Sequence, residues 1–308
     1  MNIALLGGYG QLGTQFQRTA KDAGHTVVAP QSSELDIADQ RAVQHWVQIT
    51  QAKNHVDAWV NAAAYTAVDA AEDNAEIAHS INASGAGYLA HALKDAAATA
   101  PLVYPSTDYV FAGDKGSPYN EADATDPRSV YGATKLAGET ASLTYDSTYV
   151  LRISWVFGRD GHNFVKAILR AARRFDKARD KDGQTDSLRV VDDQYGAPCS
   201  TRSISEAILA LIESTIAAGI YHFASQPHIN WHQFAEAIVE EACEQGLLNQ
   251  PVTALTQPTS ALNQKAWRPP DGRLDASKLQ SALSLPPRSW REELRAVLNT
   301  LDVSELDG

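Results

Sequence analysis

Residues 1–23 read MNIALLGGYGQLGTQFQRTAKDA. Met1–Leu6 is a short apolar strand, and the segment from Thr14 to Ala23 is amphipathic with helical spacing. Between them stand Gly7, Gly8, Gly10 and Gly13, which satisfy both G-x-x-G-x-x-G (7, 10, 13) and G-x-G-x-x-G (8, 10, 13). A glycine here permits the tight turn, lets the backbone approach a pyrophosphate, and lets the helix pack on the strand. The helix N-terminus then offers free N–H groups to the phosphates. A glycine-rich turn can exist without a ligand. Its place between a strand and a helix favours dinucleotide binding, with Gly7, Gly10, Gln11, Leu12 and Gly13 as the cradle.

The chain that follows repeats the same alternation. Gly24–Ala29 reads as a second strand, after which NAD users tend to place an acidic residue against the ribose hydroxyls. This chain has Pro30-Gln31-Ser32-Ser33. No carboxylate stands there to repel a 2′-phosphate, and Ser32 offers a hydroxyl, so NADPH is the expected cofactor with NADH accepted. Glu34 is the residue that would reverse this choice. Asp36-Ile37 can border an adenine, although a helix cap at Asp36 or Asp39 accounts for the aspartate equally well. A helix is expected near 39–50. The strand Asp57–Val60 runs into Asn61-Ala62-Ala63-Ala64-Tyr65-Thr66-Ala67-Val68-Asp69. Small side chains at Ala62, Ala63 and Ala64 would let a cofactor lie close to the backbone. Residues 74–97 are alanine-rich and read as helix, and Leu102-Val103-Tyr104 as another strand. Strand, helix, strand, helix, strand is the pattern of a parallel doubly wound sheet of Rossmann type.

Residues 106–139, STDYVFAGDKGSPYNEADATDPRSVYGATKLAGE, hold the candidate reaction centre. Tyr131 and Lys135 are four apart and share one helix face. A lysine charge beside a phenol lowers the phenol pKa from its reference of about 10, which would suit proton transfer near neutral pH. Roughly one such pair arises by chance in a chain of ordinary composition, so its weight comes from the preceding glycine loop and from Thr107 at a strand end.

Bulk composition narrows the function classes. The 308 residues are 44% hydrophobic, enough for one large core or two modest ones. The formal net charge of −11 and the lack of a basic run argue against nucleic-acid binding. An acidic protein can still hold phosphate in a local backbone nest. The two cysteines, Cys199 and Cys243, form no CxxC pair, which fits a reducing cytoplasm. The N-terminal apolar run is too short for a signal core or a membrane span. His222, His228 and His232 lack a companion cluster at ligand spacing, so no metal is expected.

The chain resembles the extended short-chain dehydrogenase/reductase family and, within it, the dTDP-4-dehydrorhamnose reductase family. The resemblance rests on the glycine loop, Asn61–Asp69, Ser106-Thr107-Asp108-Tyr109-Val110-Phe111, Val130–Glu139, Arg152–Phe157, Gly161-His162-Asn163-Phe164, Asp193–Pro198 and Arg268-Pro269. It implies hydride transfer from the nicotinamide to the C4 ketone of a 4-keto-6-deoxy sugar nucleotide. Tyr131 would give a proton to the developing alkoxide, Lys135 would hold the nicotinamide ribose and keep the phenol pKa low, and Thr107 would hydrogen-bond the ketone oxygen. Thr66, Val68, Asp108 and Trp155 would line the sugar pocket, with Asn163, Gln194 and Arg268 as further contacts. Tyr109 stands where related dehydratases carry a glutamate, which favours ketone reduction over dehydration. Gln15 replaces a glutamate that helps some members bind a divalent metal between subunits, so the expected state is a metal-free monomer or homodimer. Two other readings stay open: a different dTDP-4-keto-6-deoxysugar reductase, and a non-catalytic nucleotide-binding regulatory subunit.

The expected organisation is an NADP(H)-binding Rossmann domain over 1–155 and a smaller α/β, mainly sugar-nucleotide-binding domain over 156–308. Residues 219–224 are expected to return to the first. In the second half, helices are expected at 164–174, 204–217, 231–244 and 291–300, and a short strand at 188–191. The charged stretch Arg173–Ser187 reads as an inserted solvated loop.

Overall fold

The computed structural model describes residues 1–182 and 187–302; of the helical residues 176–182 only the backbone is described. Its strands are β1 (Asn2–Leu6), β2 (Thr26–Val28), β3 (Ala58–Asn61), β4 (Leu102–Thr107), β5 (Thr148–Ile153), β6 (Val156–Phe157), β7 (Leu188–Val191), β8 (Tyr195–Gly196), β9 (Cys199–Ser200), β10 (Gly219–His222), β11 (Ile229–Asn230) and β12 (Ala254–Gln257). Its α-helices are α1 (Gln11–Asp22), α2 (Gln40–Asn54), α3 (Val68–Ala71), α4 (Ala75–His79), α5 (Gly85–Asp95), α6 (Val130–Ser142), α7 (Phe164–Asp182), α8 (Thr201–Glu213), α9 (Trp231–Glu244), α10 (Ser277–Leu283) and α11 (Trp290–Leu298).

Six strands form one parallel sheet in the order β10-β5-β4-β3-β1-β2. Strands buried on both faces read as near-continuous apolar runs, and β3, β4 and β5 are buried throughout. One face packs under α1 and α8 through Phe16, Ala20, Ile204 and Ile208, against Leu5, Val60 and Leu151. The other packs under α2 and α5 through Val43, Val47, Leu89 and Leu93, against Leu6, Trp59 and Leu102. Strand order reverses between β1 and β3, and such a switch point opens a crevice at the carboxyl ends of the strands.

A second core lies outside this sheet. Val165, Leu169 and Ala172 of α7 meet Phe234, Ile238 and Ala242 of α9 and Leu294 of α11. The loop expected over 173–187 is largely helix, because α7 continues to Asp182. Arg, Lys and Ala are good helix formers and no proline or glycine intervenes before Gly183, so interleaved charge here does not mark a loop. The rest of that expected loop, 183–186, lies outside the described residues. The alanine-rich stretch 74–97 is not one regular helix: Ser80–Ser84 form a single π turn between α4 and α5.

Candidate active site

The glycine loop meets the segment after β3 at the switch point. Gly7 has φ +74°, and a Cβ there would lie 2.4 Å from Ala63 N. At Gly13 a Cβ would lie 2.1 Å from Gly7 O, so only glycine lets α1 begin this close to the turn. Gly10 precedes α1 with no side-chain cap, leaving the first amides of the helix to a ligand. The cradle therefore fits a pyrophosphate, with Gln11, Leu12 and the half-buried Ala62, Ala63 and Ala64 around it.

The turn after β2 is closed by its own glutamate. The Glu34 carboxylate accepts from Gln31 N at 2.8 Å, which commits one of its oxygens to the turn, and Ser32 is exposed beside it. Asp39, not Asp36, caps α2, accepting from Arg41 N and Ala42 N. Asp36 accepts from Ala38 N. Ile37 is buried against Gly85, so its side chain belongs to the core.

The catalytic face is built by α6, which Ser129 starts by accepting from Gly132 N. Gly132 and Gly138 let this helix press on its neighbours: a Cβ would lie 2.2 Å from Tyr109 O at the first and 2.1 Å from Asn82 O at the second. Thr107 ends β4 and Asp108 begins a 3-10 turn, both buried. The Thr107 hydroxyl accepts from Tyr109 N, donates to Asp108 Oδ1 at 3.1 Å, and stands near enough to the Tyr131 phenol to favour its anion. The Tyr109 and Tyr131 rings meet edge to face, 5.5 Å apart. Lys135 Nζ donates to Pro105 O at 2.8 Å and lies 3.9 Å from the Tyr104 ring centre.

Burial dominates the protonation of this group. It pushes the Asp108 carboxyl up to about 7, against a hydrogen bond from Thr107 that favours the anion. It pushes the Tyr131 phenol up to about 12, again opposed by Thr107. It pushes the Lys135 amine down to about 7, opposed by the Glu139 carboxylate. The expectation that Lys135 lowers the Tyr131 pKa is thus corrected for the protein alone. The amine turns to a backbone carbonyl and an aromatic face, and the cost of a buried phenolate prevails.

Other expected positions are more dispersed. Thr66 is exposed and Val68 opens α3 beside the end of β3. Trp155 has φ +45° and stacks on Trp231 at 3.6 Å, over Gly196. Gln194 is buried, donating to Thr259 Oγ1 and accepting from Trp231 Nε1. Asn163 spends its side chain locally: Nδ2 donates to Gly158 O, and Oδ1 accepts from Lys166 N at the start of α7. Arg268 forks onto Asp69 at 2.7 and 3.0 Å and holds that carboxyl down to about 2. A cavity of about 280 Å³ is lined by Tyr109, Phe164, Arg189, Gln194, Trp231 and Arg268.

Asn82 was not among the expected site residues. It is fully buried in the π turn. Its Oδ1 accepts from Tyr65 N at 2.8 Å, and Nδ2 donates to Tyr65 O and Thr134 Oγ1 at 3.1 and 3.0 Å. It thereby ties the Ala62–Thr66 segment to the helix of Tyr131. A polar residue of low helix propensity inside an alanine-rich helix was the available signal. Among the described residues no group of three His, Cys, Asp or Glu is placed to hold a metal. His222, His228 and His232 lie instead against the carbonyls of Tyr119, Leu274 and Ala254. No described helix is long and apolar enough to cross a membrane.

A phosphate cradle at the switch point, with Thr107 on the end of β4 and Tyr131 and Lys135 on α6 beside it, defines a Rossmann-type oxidoreductase of the short-chain dehydrogenase/reductase class. The family model described as RmlD substrate binding domain matches residues 1–303, and the chain belongs to that family. It is 37% identical over 304 residues to the dTDP-4-dehydrorhamnose reductase of Aggregatibacter actinomycetemcomitans, covering 96% of this chain and 97% of that one. It is also 37% identical over 297 residues to the spore coat polysaccharide biosynthesis protein SpsK of Bacillus subtilis, covering 96% of each. Among solved structures, the dTDP-4-dehydrorhamnose reductase of Bacillus anthracis in complex with NADP superposes with a TM-score of 0.86 at 30% identity, over 97% of this chain and 99% of that one.

Proposed function

We propose that this protein reduces the C4 ketone of dTDP-4-dehydro-6-deoxy-L-mannose to give dTDP-L-rhamnose, with NADPH as hydride source and NADH accepted. The observation that carries the reading is the convergence of Thr107, Tyr131 and Lys135 beside a backbone phosphate cradle, in a chain so similar to dTDP-4-dehydrorhamnose reductases. Gly7, Gly10, Gln11, Leu12 and Gly13 would hold the pyrophosphate, with Ser32 and Asp36 towards the adenosine end, Ala62–Ala64 beneath, and Lys135 on the ribose. The bound cofactor supplies the hydride.

The protein's own part is orientation and the proton. Tyr131, pushed up to about 12, keeps its proton until charge develops on the ketone oxygen, and so acts as a general acid. Asp108, pushed up to about 7, is half or more protonated at neutral pH and below. A protonated Asp108 donates to Thr107 Oγ1 and frees the Thr107 hydroxyl proton for the same ketone oxygen. Two donors in place before the charge forms stabilise the transition state more than the ground state. Thr66, Val68 and Trp155 would flank the sugar, while Gln194 and Arg268 would face the nucleotide. The cavity beside Tyr109 offers Phe164 and Trp231 to a thymine and Arg189 and Arg268 to a diphosphate. Asn163 would serve this pocket through the loop it closes.

The two cores support a division of labour, the sheet core holding the dinucleotide and the core of α7, α9 and α11 mainly the sugar nucleotide, but the division does not fall at residue 155: α8 packs on the main sheet, so the first unit takes in 199–213 as well as 1–155 and 219–224. A cytoplasmic monomer or homodimer goes with the reading. The test follows loss of NADPH absorbance with dTDP-4-dehydro-6-deoxy-L-mannose and identifies the product by NMR. Turnover to dTDP-L-rhamnose with higher kcat/KM for NADPH than for NADH is expected. Turnover only on another 4-keto sugar nucleotide would replace the substrate, and none on any would refute the reductase.

A further inference from the structure

Behind the Tyr131–Lys135 face lies a fully buried ion pair that the reaction itself does not use. Glu139 and Arg152 are 1% and 2% exposed. Arg152, on β5, forks onto Glu139 with Nε–Oε1 at 2.9 Å and Nη2–Oε2 at 2.7 Å. Ser106, the residue before Thr107, donates to Glu139 Oε1 at 2.5 Å. Arg152 Nη1 lies 3.4 Å from His222 Nε2, and His222 Nδ1 lies 3.1 Å from Tyr119 O. Burial and the neighbouring Arg152 push His222 down to about 3, so it is neutral, donating from Nδ1 and accepting at Nε2. Every bond in this chain then has one donor and one acceptor.

Burying such a pair is expensive. Apolar side chains of the same volume generally give equal or better stability. A role beyond stability is therefore worth seeking, and Lys135 supplies one. It is 3% exposed, and among the described residues its amine makes no ion pair. Glu139 is one helical turn further on, on the same face. Other ionisable groups on the elements against α6 are differently placed. Tyr104 of β4 lies under the amine. Asp108 and Tyr109 of the 3-10 turn lie towards Tyr131. Asp69 of α3 is bound to Arg268, and Glu72 beyond α3 accepts from Val130 N at the start of α6. Glu76 and His79 of α4, and His91, Lys94 and Asp95 of α5, are exposed. Glu139 is the charge that acts to keep the amine protonated, against burial.

We propose that Glu139 is a positioning residue of the catalytic pair. Fixed by the Arg152 fork and the Ser106 hydroxyl, its carboxylate is the buried counter-anion that keeps Lys135 a cation. This rests on the reading of Tyr131 and Lys135 as the catalytic pair. Without Glu139, two buried cations on adjacent elements would face no anion between them.

The test compares wild type with E139Q, which leaves Arg152 unpaired, and with E139M/R152M, which removes both charges and refills the space with apolar atoms. The Lys135 amine is titrated directly by NMR of labelled lysine, assigned with K135R, and the pH profile of kcat/KM is recorded alongside. The Lys135 midpoint is expected to fall by about one pH unit or more in both variants, and the alkaline limb of kcat/KM to move with it. An unchanged midpoint in the folded double variant would overturn the proposal. So would a shift confined to E139Q, since it would trace to the unpaired arginine. Absence of turnover in the wild type would instead fail the reductase reading, while the NMR midpoint still decides the role of Glu139.

Discussion

Asn82→Ala is the substitution that most directly probes how the site is assembled. Three hydrogen bonds disappear: Tyr65 N to Oδ1, and Nδ2 to Tyr65 O and to Thr134 Oγ1. The bond from Tyr104 OH to the Asn82 carbonyl survives, because it uses the backbone. Thr134 keeps its donation to Tyr131 O, so its loss is small. Tyr65 loses partners at both its amide and its carbonyl. An orphaned buried polar group costs about 1–3 kcal/mol, and Tyr65 is half-buried, which lets water recover part of this. The sum is about 2–4 kcal/mol. For a domain of this size that is roughly a 5–10 °C fall in thermal midpoint. The loss is not confined to stability, because the released segment carries Ala62–Ala64. NADPH affinity is expected to fall by about tenfold, the equivalent of about 1.4 kcal/mol. Asn82→Asp, the same size, keeps the acceptor but loses both donations, and should be no better than alanine. Urea unfolding followed by circular dichroism and NADPH titration by fluorescence measure the two effects. A stability loss under about 1 kcal/mol, or a full loss with unaltered NADPH affinity, would refute the claim that this carboxamide braces the cofactor segment to α6.

Two further substitutions separate chemistry from scaffolding. Tyr131→Phe retains the ring that meets Tyr109 edge to face and should fold normally, yet kcat should fall by about 10²–10⁴-fold with NADPH binding nearly intact; turnover close to wild type would mean that another group supplies the proton. Arg268→Met removes the main cause of the low Asp69 pKa, so its carboxyl midpoint, followed by NMR, should rise from about 2 towards the ordinary aspartate range without reaching it, because the Lys265 and Ala266 amides remain. A depressed carboxyl stabilises above its unfolded pKa and loses this as pH falls through its folded one, so the variant's deficit should be present at pH 7 and vanish near pH 2. Asp69 is half exposed, which keeps that deficit within about 1 kcal/mol. An unmoved Asp69 midpoint would show that the ion pair is not formed in solution.

How far the site could be read in advance follows from the range of each interaction. The glycine loop is local: strand, turn and helix occupy Asn2–Asp22, and Gly7 and Gly13 each answer a backbone constraint within that stretch or against Ala63. The Tyr131–Lys135 face is local for the same reason. Asn82 and the Arg268 fork are not: their partners lie 17, 52 and 199 residues away. A π turn also shifts the helical register by a residue that no periodicity announces. The protonation states lie further still from spacing. A lysine four residues after a tyrosine guarantees a shared helix face, but the pKa depends on what fills the space around both. Here that space holds the Pro105 carbonyl, the Tyr104 ring and the ends of buried strands, so desolvation raises the phenol and lowers the amine together. The two shifts suit a reductase. A phenol that holds its proton is ready to donate, whereas an amine near neutrality needs a fixed anion to stay charged, which is why the buried carboxylate one turn beyond Lys135 bears on the chemistry in front of it.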